Sequence, residues 1–121
     1  MSARRDLGDF GERVAKAHLE AKGYRVIATN ARTSEGQVDI VAQRDGVVAF
    51  VEVKTRRPGP QRAVEALDPT QRLRIRRAAE SWIHAHPGVG REFRFDLVTV
   101  DVARGGPARV EHIPDAFHGD D

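Results

Sequence analysis

A chain of 121 residues with 40% hydrophobic and 31% charged residues and a mean hydropathy of −0.51 suits one globular domain and excludes a long disordered composition. No apolar run approaches the roughly 18 residues that span a bilayer, and the start Met1-Ser2-Ala3-Arg4-Arg5-Asp6 leads into no apolar signal region, so a cytoplasmic protein with no membrane contact is expected. The lack of cysteine excludes disulfides and thiolate zinc sites, and the net charge of +2 is unevenly spread: residues 54–77 carry eight cations (Lys54, Arg56, Arg57, Arg62, Arg72, Arg74, Arg76, Arg77) against Glu65 and Asp68.

Such a basic stretch suits a polyanion, nucleic acid first, or else a solvated helix face. Residues Arg4 to Lys22 read as a first helix, because Leu7, Phe10, Val14, Ala17 and Ala21 recur at spacings of three and four, and Gly23 caps its end. Glu12 lies off the centre of that stripe, close in angle to Leu19. It sits either at the rim of a buried face or on the surface beside Lys16, at the i, i+4 spacing that favours Glu-Lys pairs. Tyr24 to Thr29 is a short strand, followed by a polar loop from Asn30 to Gly36 that carries Arg32 and Glu35. Two strands come next, about Gln37 to Arg44 and Val47 to Thr55.

Pro58-Gly59-Pro60 breaks the chain, and the stretch to Asp68 reads as a loop with Arg56 and Arg57 on its flank. Asp68-Pro69 opens a second long helix as N-cap and first-turn proline. Its residues Ile75, Ala78, Ala79, Trp82 and Ile83 gather on one side to face a sheet, while Arg74 and Arg77 point the other way. The helix stops near His86, ahead of Pro87-Gly88. Glu92 to Val102 alternates as a strand, and Ala108 to Ile113 forms the last one. The order αβββαββ makes a mixed β-sheet flanked by helices, an α/β (α+β) fold. One domain over residues 1–118 is expected, with a frayed tail at 119–121.

Asp45-Gly46 between two β-branched runs signals a hairpin closed by a type I′ turn. With Arg44 facing Val47, counting back one pair at a time puts Asp39 opposite Glu52 and Gln37 opposite Lys54. Alternation then gathers these four on one face and Val38, Ile40, Val51 and Val53 on the other. Opposed side chains lie roughly 5 Å apart at Cβ, where like charges repel, so two facing carboxylates ask for a cation. Oxygen donors suit a hard ion, Mg²⁺ or Mn²⁺, with Asp39, Glu52 and the Val53 carbonyl as its ligands.

Such an ion activates a water and neutralises charge on a phosphoryl oxygen. Lys54, on the same face, would hold the attacking water or steady the developing charge. Three lysines against seventeen arginines make a Lys among valines look chosen for its compact ammonium. The competing reading is a salt-bridged Glu-x-Lys pair on an exposed sheet face, with Asp39 an incidental neighbour. His84, His86, His112 and His118 lack metal-ligand spacing and read as surface or core polar groups, and Trp82 reads as core.

Gly36-Gln37-Val38-Asp39, the hairpin, and Val51-Glu52-Val53-Lys54-Thr55-Arg56 resemble the PD-(D/E)XK nuclease signature. Gly11-Glu12, Gly23-Tyr24, Asn30-x-Arg32, Arg94-Phe95-Asp96 and Ala116-Phe117 extend the likeness over nearly the full chain, which resembles the small bacterial YraN-like family. The resemblance implies a restriction-endonuclease-like core akin to archaeal Holliday junction resolvases, with Asp39, Glu52 and Lys54 at a Mg²⁺ site and Glu12 as the acidic first-helix member. The chain departs from that pattern at Gln37, where many members carry Glu, and so lacks one charge beside Asp39.

Two functions are expected from this pattern. The first is a Mg²⁺-dependent nuclease that hydrolyses phosphodiesters of structured DNA such as junctions, in repair or recombination. Glu12, Asp39, Glu52 and Val53 would surround the ion and Lys54 assist the water, while Arg32, Arg56, Arg57, Arg74 and Arg77 contact phosphates. Relatives of the fold that cut junctions work as homodimers, since two cuts need two sites, and the residues do not separate DNA from RNA as substrate. The second is a non-catalytic nucleic-acid-binding or partner-binding module on the same fold, which Gln37 favours.

Overall fold

The computed structural model describes residues 3–57, 67–103 and 105–118. Its elements are α1 (Ala3–Ala21), β1 (Arg25–Thr33), β2 (Gly36–Arg44), β3 (Val47–Arg56), α2 (Pro69–Ala85), β4 (Glu92–Asp101) and β5 (Arg109–Phe117), the order αβββαββ that the sequence predicts. Apart from Arg57, Leu67 and Asp68, the loop expected around Pro58-Gly59-Pro60 lies outside the described residues, as does the tail at 119–121.

The helix ends follow from local chemistry. At the end of α1, Gly23 takes φ +91°, and the N–H groups of Tyr24 and Gly23 donate to the carbonyls of Leu19 and Glu20, at 3.1 and 3.0 Å. This is a Schellman closure, and it seats Tyr24 and Leu19 in the same apolar cluster. At the start of α2, Asp68 accepts from the Gln71 N–H at 2.9 Å while Gln71 Oε1 accepts from the Asp68 N–H at 3.3 Å, a reciprocal capping box ahead of Pro69.

The five strands lie in the spatial order β1-β2-β3-β4-β5. β3 and β4 run parallel, joined across the sheet by the segment that contains α2, and every other neighbouring pair is antiparallel. Two strands outrun their expected ends. β1 continues to Thr33 because β2 offers partners for its polar residues, through Ala31↔Val38, Arg32↔Gln37 and Thr33↔Gly36. β5 continues past Ile113 to Phe117. Pro114 is tolerated there because β5 is an edge strand, and Asp115 at φ +54° accompanies a register shift between Phe95 and Leu97.

One helix covers each face. α1 lays Ala15 and Leu19 on Ile40, Ala42, Ala49, Val51, Val98 and Val100. α2 lays Ala78, Ala79 and Trp82 on Val38, Val41, Val48 and Phe50, with Trp82 edge-on to Phe50 at 5.7 Å and stacked on His86 at 4.1 Å. Gly11 brings α1 against β3: a Cβ there would fall 1.7 Å from Thr55 Oγ1 and 2.7 Å from Thr55 Cβ, so only glycine permits this approach.

A buried polar cluster ties the α1 end of the sheet to its β5 edge. Asp96, fully buried, accepts two hydrogen bonds from Arg94 at 2.8 Å and one from the Asp115 N–H at 3.0 Å, and its Oδ2 lies 2.8 Å from His112 Nε2. Burial works against the Asp96 charge, but His112, Arg94 and the Asp115 amide outweigh it and hold the carboxyl below its ordinary range. Arg94 also donates to the Tyr24 hydroxyl at 2.6 Å. Of His84, His86, His112 and His118, His112 is thus the one wedged into the core, with its side chain 1% exposed.

Candidate metal and nucleic-acid site

Asp45 and Gly46 take φ +53° and +81°, the two positive angles of a type I′ turn, and the β2–β3 register runs from Arg44↔Val47 to Ile40↔Val51 as counted from the sequence. The pairing then stops one step short of Asp39 and Glu52. Beyond it the Val53 N–H donates to Asp39 Oδ2 at 2.9 Å, so a side-chain carboxylate takes the place of a ladder carbonyl and the strands fork.

The fork corrects two expectations drawn from strict alternation. Val38 and Ile40 do not share a face: Val38 packs on the α2 side, and Ile40 with Val51 on the α1 side. The change of face falls at Asp39, whose carboxylate leaves the ladder for the Val53 N–H, and opposite it in β1, between the pairs Thr29↔Ile40 and Ala31↔Val38, stands Asn30 at φ +49°. Gln37 does not face Lys54. It pairs across β1 with Arg32, and its Nε2 donates to Asn30 Oδ1 at 3.0 Å.

At the fork, Glu12 from α1, Asp39 from β2, and Glu52, Val53 and Lys54 from β3 line one open cleft of about 400 Å³. Burial is the largest influence on Glu52, and the Asp39 carboxylate against it adds to the effect. Together they push the Glu52 carboxyl up to about 8, against the pull of Lys54 and Arg74. Glu12 is also raised, by burial and by the charges of Asp39 and Asp9, with a hydrogen bond from Asn30 opposing. Glu12 makes no ion pair with Lys16 and turns to Asn30 instead.

Among the described residues no three Asp, Glu or His side chains form a complete metal-holding group. The donor set is the Asp39–Glu52 pair, with one Asp39 oxygen engaged by the Val53 amide and Glu12 near enough for its charge and that of Asp39 to repel. Two carboxylates fit Mg²⁺, which commonly keeps several waters and takes one or two protein carboxylates. A set with no sulfur and no imidazole fits softer metals poorly.

The expected phosphate contacts separate into two groups. Arg74 is exposed, its stem lies over Gly36 (a Cβ there would sit 3.7 Å from Arg74 Cγ), and its charge reaches Glu52. Arg77 is exposed beside Ser34 and Glu35, and Arg32 beside Gln37. Arg57 is exposed at the end of β3. Arg56, in contrast, is held in the sheet by Asp101, with Nε 2.7 Å from Oδ1. Arg62 lies outside the described residues.

Asn30 is the residue that sequence reasoning left without a role. It bridges Glu12 and Gln37, and the available signal was that Asn, more than most residues, tolerates the left-handed region.

Residues 11–100 match the model of the uncharacterised protein family UPF0102. A UPF0102 protein of Anaeromyxobacter dehalogenans is 42% identical over 118 residues, covering 97% of this chain and 87% of its own length. One of Frankia casuarinae is 43% identical over 120 residues, covering 97% of this chain and all of its own, and one of Alkaliphilus metalliredigens is 39% identical over 114 residues, covering 93% and 98%. The Gly11-Glu12, Asp39 and Glu52-Val53-Lys54 positions all fall inside the matched span, and the chain belongs to the UPF0102 (YraN) family.

Proposed function

We propose that this protein is a Mg²⁺-dependent nuclease of the PD-(D/E)XK type, with a restriction-endonuclease-like core, that hydrolyses phosphodiester bonds of structured DNA such as junctions. One observation carries the reading: Asp39 and Glu52 are pressed together at a strand fork, so that Glu52 holds its proton up to about pH 8 with Lys54 in the same cleft. A stability-driven sheet would not gather like charges there, whereas perturbed carboxylates in a cleft are the mark of a functional site.

When bound, the ion would lower the pKa of a coordinated water and offset charge on the phosphoryl oxygens. Asp39 and Glu52, with the Val53 carbonyl, would hold it, and Glu12 would supply a further carboxylate at the rim. The Lys54 ammonium would orient the attacking water and steady charge as the water oxygen bonds to phosphorus and the bond to the leaving oxygen breaks, the proton released by the water passing to solvent and the leaving oxygen taking one up from solvent. Arg32, Arg74 and Arg77 supply the surrounding positive field. Cutting both arms of a junction would require a homodimer, and RNA offers the same bond to the same groups.

The test is incubation with junction, flap, nicked and single-stranded DNA, and with RNA, in Mg²⁺ or Mn²⁺. The expected result is cleavage of a structured DNA that Asp39→Ala abolishes, and absence of cleavage above that control on every substrate overturns the reading. A second reading, a non-catalytic nucleic-acid-binding or partner-binding module, is favoured by the lack of a complete three-ligand metal group among the described residues and by the turning of Gln37 toward Asn30. It predicts salt-sensitive DNA binding with no effect of metal.

A further inference from the structure

A second cleft, of about 320 Å³, opens on the other side of Glu12, between α1 and β1. Arg13 and Lys16 stand on its α1 wall, one turn apart and both exposed, and Thr29 and Asn30 on its β1 wall. Helical spacing offers each cation a carboxylate four residues earlier, Asp9 for Arg13 and Glu12 for Lys16. Neither ion pair forms among the described residues. Glu12 interacts with Asn30 across the cleft instead of with Lys16. Two cations that are not tied up in these pairs, two neutral polar side chains and the carboxylates of Asp9 and Glu12 border a cleft that shares Glu12 with the carboxylate cleft.

We infer that this cleft, bordered by Arg13, Lys16, Thr29 and Asn30, is a second phosphate subsite that seats the backbone phosphate next to the one lying at Asp39 and Glu52. The inference rests on the nuclease reading above and adds the path of the strand, from α1 across the fork to Arg74 on α2. Asp9 and Glu12 in the same cleft repel a bare anion, so the subsite selects a tethered phosphate. A strand already held at its neighbouring phosphate presents the next one at high effective concentration, whereas a free phosphate ion must overcome the repulsion alone.

The test is fluorescence anisotropy of labelled duplex and single-stranded DNA with the full chain carrying Glu52→Gln, titrated over a range of salt. Arg13→Gln with Lys16→Gln added on that background is expected to weaken binding at least tenfold. It should also make the plot of log K against log salt shallower by roughly 1.4 for single strands and 1.8 for duplex, two phosphate contacts' worth. Inorganic phosphate at millimolar concentration is expected not to compete beyond its contribution to ionic strength. Arg91→Gln, beside the Asp45-Gly46 turn, should leave affinity and slope unchanged.

An unchanged slope in the double variant, with its melting temperature retained and with Arg74→Gln still weakening binding, overturns the subsite and leaves the nuclease reading standing. Absence of nucleic-acid binding by the parent protein at any salt overturns both.

Discussion

Replacing Glu52 with Gln should stabilise the metal-free protein at alkaline pH, and the size of the effect follows from the fork. In the unfolded chain Glu52 titrates near its ordinary 4.5, and in the folded protein burial and Asp39 raise it to about 8. Between those values the folded state holds a proton that the unfolded state has released. The contribution of Glu52 to stability is therefore fully present below about pH 4.5 and is lost as pH rises through 8. Each pH unit of such a gap corresponds to about 1.4 kcal/mol. The full gap would give almost 5 kcal/mol, and discounting for a cleft open to water and for screening leaves about 1–3 kcal/mol.

Gln cannot ionise, so Glu52→Gln minus parent stability should grow by about 1–3 kcal/mol from pH 5 to pH 9, a relative rise of roughly 4 °C in melting temperature for each kcal/mol. Thermal and urea unfolding in EDTA at pH 5, 6, 7, 8 and 9 would measure it. Adding Mg²⁺ at pH 8 should then stabilise the parent and leave Glu52→Gln unmoved, because an ion that binds only the folded state adds stability by mass action. Parallel pH profiles for the two proteins would refute the claim that Asp39 and Glu52 compete for one charge, and equal stabilisation by Mg²⁺ would refute their role as its ligands.

Lys54→Ala should lower cleavage about 10²-fold or more while leaving DNA affinity within a few-fold, measured by single-turnover kinetics and anisotropy on one substrate; equal losses in both would make Lys54 a binding residue. Gly11→Ala should cost about 2–3 kcal/mol in urea unfolding, because its Cβ would overlap Thr55 and force α1 off β3. Asp96→Asn should cost about 3 kcal/mol by leaving Arg94 and His112 without their buried charge partner. The pH dependence tied to Asp96 has the opposite sign to that of Glu52: its carboxyl is lowered in the fold, so its contribution is present above its ordinary value of 3.8 and disappears as acid protonates it. Acid unfolding monitored by circular dichroism should therefore begin at higher pH in Asp96→Asn than in the parent.

Much of this architecture is written in local chemistry. Gly23, Asp68-Pro69 and Asp45-Gly46 each dictate a backbone event through their own steric or capping properties, so the ends of α1, the start of α2 and the β2–β3 register were legible from the residues. Apolar periodicity likewise predicted a helix on each face, but in α1 the buried contacts come from Ala15 and Leu19 while Ala17 and Ala21 of the expected stripe are exposed, because the close approach at Gly11 sets which side of α1 meets the sheet. Composition misled where a strand's partner matters more than its own residues. Asn30 to Thr33 and Pro114 to Phe117 carry turn-forming residues, yet they extend β1 and β5 because neighbouring backbone groups lie within reach of a ladder.

The candidate site divides along the same line. Asp39, Glu52 and Lys54 could be grouped from sequence because hairpin register is local, with a tight turn fixing it and alternation carrying it outward. The sequence by itself therefore determined the element order, the hairpin and the gathering of unlike charges on it. Only the tertiary structure decided where the ladder parts, since there the Asp39 carboxylate takes the Val53 amide in place of a backbone carbonyl. It alone decided that Glu12 faces this cleft rather than Lys16, because Gly11 lets α1 close on Thr55, and that Asp101 ties Arg56 into the sheet. These are contacts between residues far apart in the chain, whose geometry is set by how closely packed elements can approach, and no periodicity within one segment encodes that distance.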